Sequence, residues 1–280
     1  MDIVEKVYDF YKKCGLKKGC IGKTEGGRKI PYIFLGVNKK PVIISQYAIH
    51  AREHITSLLC LKQIEFLINR NIDFGIYFIP MSNPDGIDIA LNNLKNVSEN
   101  RKKFLLSVNG NEDFSDFKAN LNCVDLNVNF DADFGTGVRN VNYLCPENYI
   151  GEKPFCEKET KALRAFTRKI KPDITLSWHT KGEEIYWYFG QEGKEKERDY
   201  ILARSISESN SYPLKYSFGS AGGYKDWCIR KLNIPSYTVE VGNDNLSHPL
   251  GENQLEPIFE KNKYVFEDLA KTYRLISETE

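Results

Sequence analysis

No apolar run in this 280-residue chain approaches the ~18 residues of a membrane-spanning helix, so a membrane protein is not expected. The amino terminus, Met1-Asp-Ile-Val-Glu-Lys6, reads as a helix start without the apolar centre of a secretory signal, which predicts a cytoplasmic location. Net charge is scarce too. The 39 Lys and Arg stand against 38 Asp and Glu, with no long basic block, and this excludes nucleic acid and anionic membrane surfaces as expected partners. The seven cysteines are odd in number, scattered and free of any C-x-x-C spacing, which argues against both a disulfide framework and a cysteine zinc site. No repeat, low-complexity tract or linker divides the chain, so a single domain over 1–280 is expected.

What is present alternates between two periodicities. Helical patterns are read at 2–14, Ile55–Ile68, Glu157–Ile170, 192–208, 222–232 and Ile258–Ile276. Strands are read at Ile30–Gly36, 41–49, Gly75–Ile79, Val124–Phe130, Ile174–Trp178, Ile185–Phe189 and Ser236–Val241, with the first two paired across Val37-Asn-Lys-Lys40. Residues 15–28 read as a Gly/Lys-rich turn region and 92–122 as a polar surface excursion. Alternating strands and helices predict an α/β fold: a three-layer sandwich whose mixed, largely parallel twisted sheet is flanked by helices.

Histidine is scarce, four residues in all, so each position is informative. His50 closes the apolar run 41–49, and Glu53 follows three residues later at the junction with the Ile55–Ile68 helix. His179 closes Asp173-Ile-Thr-Leu-Ser-Trp178, and Glu240 lies near the far end of Ser236–Val241. Open α/β sheets build their sites at the carboxyl ends of strands. Two imidazoles and a carboxylate around Zn2+, with a second carboxylate as base, form a hydrolytic set. Each residue also has a plain structural reading: a strand-end histidine is often just hydrogen-bonded, Glu53 suits a first helical turn, and Glu240 could pair with Lys225 or Lys231.

The motifs resemble the zinc carboxypeptidase family, the M14 metallopeptidases. His50-Ala-Arg-Glu53-His-Ile-Thr resembles its H-x-x-E zinc motif, and Pro80-Met-Ser-Asn-Pro-Asp-Gly86 the turn that follows. Val124-Asp-Leu-Asn127-Val-Asn-Phe130, Ser177-Trp-His179, Gly222-Gly-Tyr-Lys-Asp-Trp227 and Thr238-Val-Glu240 continue the likeness in order. The resemblance implies one Zn2+ per chain held by His50, Glu53 and His179. It also implies Glu240 as the base that takes a proton from the attacking water, Arg101 as the oxyanion-stabilising cation, and Asn127 and Arg52 as substrate contacts.

Two departures bear on substrate. Where the family's carboxypeptidases carry an arginine that grips the terminal carboxylate, this chain has Val128. Phe218 occupies the place of the substrate-capping tyrosine, with Tyr216 or Tyr224 as candidate replacements. The position that sets side-chain preference is Lys225, which suggests a substrate carboxylate in that pocket. Together with Ser177–Trp187 and Ser220–Trp227, these features resemble bacterial γ-D-glutamyl-diaminopimelate peptidases, whose substrates are small peptidoglycan peptides. Rival readings are a metallocarboxypeptidase of other specificity, an H-x-x-E-H protease using His50 and His54 on one helix, an amino-acid deacylase, and an inactive peptide-binding relative. Oligomeric state is not legible.

Overall fold

The structure, a computed structural model, describes residues 1–278. Among them, eight strands run in chain order: β1 (Lys17–Lys23), β2 (Lys29–Gly36), β3 (Val42–Tyr47), β4 (Gly75–Ile79), β5 (Ile174–Thr180), β6 (Glu184–Tyr188), β7 (Leu214–Tyr216) and β8 (Ser236–Val241). The helices are α1 (Ile3–Lys13), α2 (Ile55–Ile68), α3 (Pro84–Asn92), α4 (Glu99–Asn109), α5 (Lys158–Ile170), α6 (Gly193–Asn210), α7 (Tyr224–Leu232), α8 (Leu255–Asn262) and α9 (Val265–Ser277).

One sheet results, in the order β1-β2-β4-β3-β5-β8-β6-β7. Its centre, β4-β3-β5-β8, is parallel, and antiparallel pairings occur toward both edges. α2, α6, α8 and α9 cover one face through Leu59, Ile64, Leu202, Phe259 and Phe266. α5 and α7 cover the other through Leu163, Phe166 and Trp227. This is the expected three-layer sandwich.

Five local expectations fail. Strand β2 does not pair with β3, because β4 lies between them. The reason is burial: Ile43 and Ile44 are both fully enclosed, as in a central parallel strand covered on both faces. The turn region 15–28 contains β1, a half-exposed edge strand with a bulge between Cys20 and Gly22. A Cβ on Gly22 would lie 2.6 Å from that of Ala162, so glycine permits α5 to approach there. Residues 124–130 form a 3-10 turn at Leu126–Val128 rather than a strand, because the Asp125 carboxylate accepts from Asn127 N at 3.0 Å and closes the chain on itself. The excursion 92–122 carries α4 and a cluster of Leu105, Phe114 and Phe117 packed with Ala51 and Ile89. The closing helix is also two helices, α8 and α9.

One buried group opposes the fold. Glu159 of α5 is fully enclosed, its Oε1 has no hydrogen-bond partner, and burial pushes its carboxyl from 4.5 up to about 8. The unfolded chain releases this proton near 4.5 and the folded chain near 8, so stability falls as pH rises between those values. Glu159→Gln is expected to stabilise the protein in denaturant titrations at pH 9, with a ceiling of about 5 kcal/mol. The gain should vanish near pH 4; a gain equal at both pH values would contradict this origin.

Candidate metal centre and cleft

The chain leaves β3 through Ala48, a non-glycine residue at φ 47°. The Thr56 hydroxyl pins this turn by accepting from Ala48 N at 2.9 Å and donating to Glu53 O at 2.8 Å. His50 is extended (φ −91°, ψ 133°), and a 3-10 turn spans Ala51–Glu53 before α2 begins. His50 and Glu53 therefore meet across a short turn, with Nδ1 and Oε1 2.8 Å apart. Asn83, which caps α3, donates to Ile49 O at 3.2 Å and to Ala119 O at 3.1 Å, so the Pro80–Gly86 segment props this turn from behind.

His179 arrives from β5. Ile174, Leu176 and Trp178 join the core on the α2/α6 side, and strand alternation turns His179 to the opposite face. The same alternation sets Tyr237, Val239 and Val241 into that core and turns Glu240 the other way. The β5–β8 register then pairs His179 directly with Glu240. His179 Nδ1 lies 2.9 Å from Glu53 Oε2 and 3.2 Å from His50 Nδ1.

One ligand atom from each of His50, Glu53 and His179 lies within 4.8 Å of the others, and all three residues are buried. Two imidazole nitrogens facing each other beside a carboxylate need a cation or proton among them. The N2O donor set suits zinc. Burial works to raise the Glu53 carboxyl, but the His50 and His179 imidazoles hold it well below the ordinary range, ready to ligate.

Behind the ligands stands Asp125, which sequence reasoning passed over. Its Oδ1 lies 3.2 Å from His50 Nε2, while its Oδ2 takes the Lys118 ammonium at 2.9 Å. A carboxylate on the far ring nitrogen fixes the tautomer and orientation of a metal-binding histidine. Burial alone would raise the Asp125 carboxyl, but Lys118 and His50 keep it well below the usual range. The available signal was its place two residues before Asn127 in a motif already singled out.

Glu240 is half-buried at the wall of a cleft, with its Oε2 atom enclosed and without a partner. Burial pushes its carboxyl up to about 8. It is not the ion-pair partner of either candidate lysine: Lys225 binds Asp226 at 2.5 Å and Lys231 faces Asp131 at 3.4 Å. A carboxylate left unpaired in such a place is costly unless it has a task.

The cluster opens onto a cleft of about 460 Å³. Asn127, Val128, Phe218 and Lys225 line it. Lys225 is buried with its charge already matched by Asp226, which changes the role read from sequence. Phe218 is 84% exposed and stacks on Tyr216. Three expected residues lie elsewhere. Tyr224 is core, its hydroxyl bonded to Thr167 at 2.8 Å. Arg52 pairs with Asp116 at 3.0 Å, outside the cleft lining. Arg101 binds Leu121 O and Asn122 Oδ1 and rests on the Phe104 ring, while Lys118 is a half-buried cation that lines the cleft near Glu240. His54 stays out of the cluster, and burial lowers its imidazole to about 4. With His50 extended rather than helical, the H-x-x-E-H arrangement is not formed.

Comparison with known proteins agrees with this geometry. A family described as "Zinc carboxypeptidase" matches residues 15–265. Gamma-D-glutamyl-L-diamino acid endopeptidase 1 of Lysinibacillus sphaericus is 30% identical over 88% of this chain, which spans 65% of that protein's length. Among solved structures, bovine thrombin-activatable fibrinolysis inhibitor in complex with tick carboxypeptidase inhibitor superposes with TM-score 0.74 at 20% identity, covering 96% of this chain and 94% of that one. Murein-tripeptide amidase MpaA of Escherichia coli O157 superposes with TM-score 0.60 at 19% identity, covering 91% of each chain. Among the described residues, no helix is long and apolar enough to cross a membrane.

Proposed function

The chain belongs to the zinc carboxypeptidase family, and from that premise we propose that it is a zinc metallopeptidase cutting an amide bond in small peptides, namely the γ-D-glutamyl-diaminopimelate linkage of peptidoglycan stem peptides. The observation that carries the chemistry is the pairing of His179 with Glu240 across one β-bridge, which sets an unpaired carboxylate beside the His50–Glu53–His179 cluster. Zinc held there would polarise the scissile carbonyl and acidify the attacking water. Glu240 takes the water's proton and returns it to the departing amine. Lys118, fixed by Asp125, faces the same cleft and offers its ammonium to the negative charge that develops on the carbonyl oxygen.

Two observations support the substrate. Val128 stands where the family's carboxypeptidases hold a carboxylate-gripping arginine, and the Lysinibacillus relative is named for a γ-D-glutamyl-diamino acid bond. Seven free thiols, three of them buried, suit a reducing interior, and we place the reaction in the cytoplasm, on wall fragments. Mass spectrometry of products from a panel of stem peptides, with Glu240→Gln protein as the blank, tests the assignment. Cleavage after γ-D-glutamate is expected. Hydrolysis of hippuryl-amino acids with the stem peptides left intact would make the enzyme an ordinary carboxypeptidase instead.

A further inference from the structure

Three cations border the cleft: Lys118, Lys225 and Arg139. The first two each have a carboxylate partner, Lys118 in Asp125 at 2.9 Å and Lys225 in Asp226 at 2.5 Å, and the first is already assigned to the carbonyl oxygen. Arg139 is different. Among the described residues its guanidinium has neither a carboxylate nor a hydrogen-bonding partner, although Tyr186, another cleft residue, feels its charge. Its backbone is nevertheless held on both sides. Val138 N donates to Gly219 O at 2.8 Å, Asn140 N to Gly137 O at 2.9 Å and Val141 N to Asn148 O at 3.0 Å. The next side chain in the same wall, Asn140, carries a buried Nδ2 without a partner.

A loop held by its backbone thus places the unpaired guanidinium of the exposed Arg139 at the rim of a cleft in which Val128 has no charge to offer. A planar guanidinium is suited to holding a carboxylate through two parallel bonds. We infer that Arg139 binds a carboxylate of the peptide on its leaving-amine side, so that recognition comes from the 133–141 loop. This rests on the peptidase reading above, and it makes the preferred substrate an acidic peptide.

The test compares kcat/KM for two pairs of peptides. One pair is L-alanyl-γ-D-glutamyl-meso-diaminopimelate and its form with both diaminopimelate carboxyls amidated; the other is hippuryl-L-phenylalanine and its amide. The wild type should prefer the free carboxylate by roughly 10- to 100-fold in the pair it cleaves. Arg139→Gln should bring that ratio to within about threefold of unity, chiefly through KM, with Arg139→Lys between the two. Arg204→Gln, on the exposed face of α6, should keep the wild-type ratio. An unchanged ratio in Arg139→Gln, or no carboxylate preference in the wild type, overturns the inference. Cleavage confined to the hippuryl pair overturns the stem-peptide assignment but still reads the ratio. Cleavage of neither pair overturns both.

Discussion

Glu240→Gln is expected to lower kcat/KM by about 10³-fold or more while the protein still binds one zinc per chain. The argument is geometric. Glu240 contributes no atom to the His50–Glu53–His179 cluster, so its amide should leave the metal's donors intact. Its backbone is bonded within β8, whose register against β5 does not depend on the side chain. Gln keeps the size of the side chain but cannot accept a proton, and loss of a positioned general base typically costs about 10²–10⁴. Metal analysis alongside steady-state kinetics separates the cases. Substantial activity in this variant would remove Glu240 from the mechanism, whereas loss of zinc would make it a ligand.

Lys118→Met should cost about 10²–10³ in kcat, whereas Arg101→Gln should stay within about threefold of the wild type. Lys118 is half-buried beside Asp125, and its charge reaches both Glu53 and Glu240. Burial opposes that charge, but Asp125 more than offsets it, and the ammonium is held above its usual range. Arg101 spends its donors on the 121–122 backbone and side chain, away from the cleft lining. Removing Lys118 also leaves Asp125 without its ammonium partner, so zinc content and circular dichroism must be checked together with rate. Lys118→Arg, which preserves the charge, should retain more activity than Lys118→Met. A larger loss in Arg101→Gln than in Lys118→Met would restore the role read from sequence.

The contrast between these two cations shows where sequence reading stops. His50, Glu53, His179 and Glu240 were legible because each ends or nearly ends a segment with strong apolar periodicity. A residue tied to a strand inherits that strand's face and end. Arg101 and Lys118 both lie in 92–122, where periodicity is weak. Nothing in their spacing shows which one the chain folds inward. The deciding contact is Ala51 N donating to Lys118 O at 3.0 Å, which ties that loop to the metal-binding turn. Tyr224 was misplaced for a related reason: its ring is one of a group with Phe130 and Trp227 that fills the core beneath α7. Residue type alone could not separate a core tyrosine from a substrate-facing one.

The sequence by itself determined the fold class, the three candidate zinc ligands, the candidate base and the family likeness. Those features depend on local periodicity and on motifs bound to regular elements. The tertiary structure alone decided that β4 separates β2 from β3, that Asp125 orients His50, and that Lys118 rather than Arg101 faces the cleft. It also decided that Lys225 is neutralised while Arg139 is not. The strand order follows from apolar burial of β3 on both faces, and the other outcomes depend on which charges are brought within about 3 Å of each other across long stretches of chain. Such pairings are set by burial, because a charge enclosed in the core must find a partner there or do chemical work.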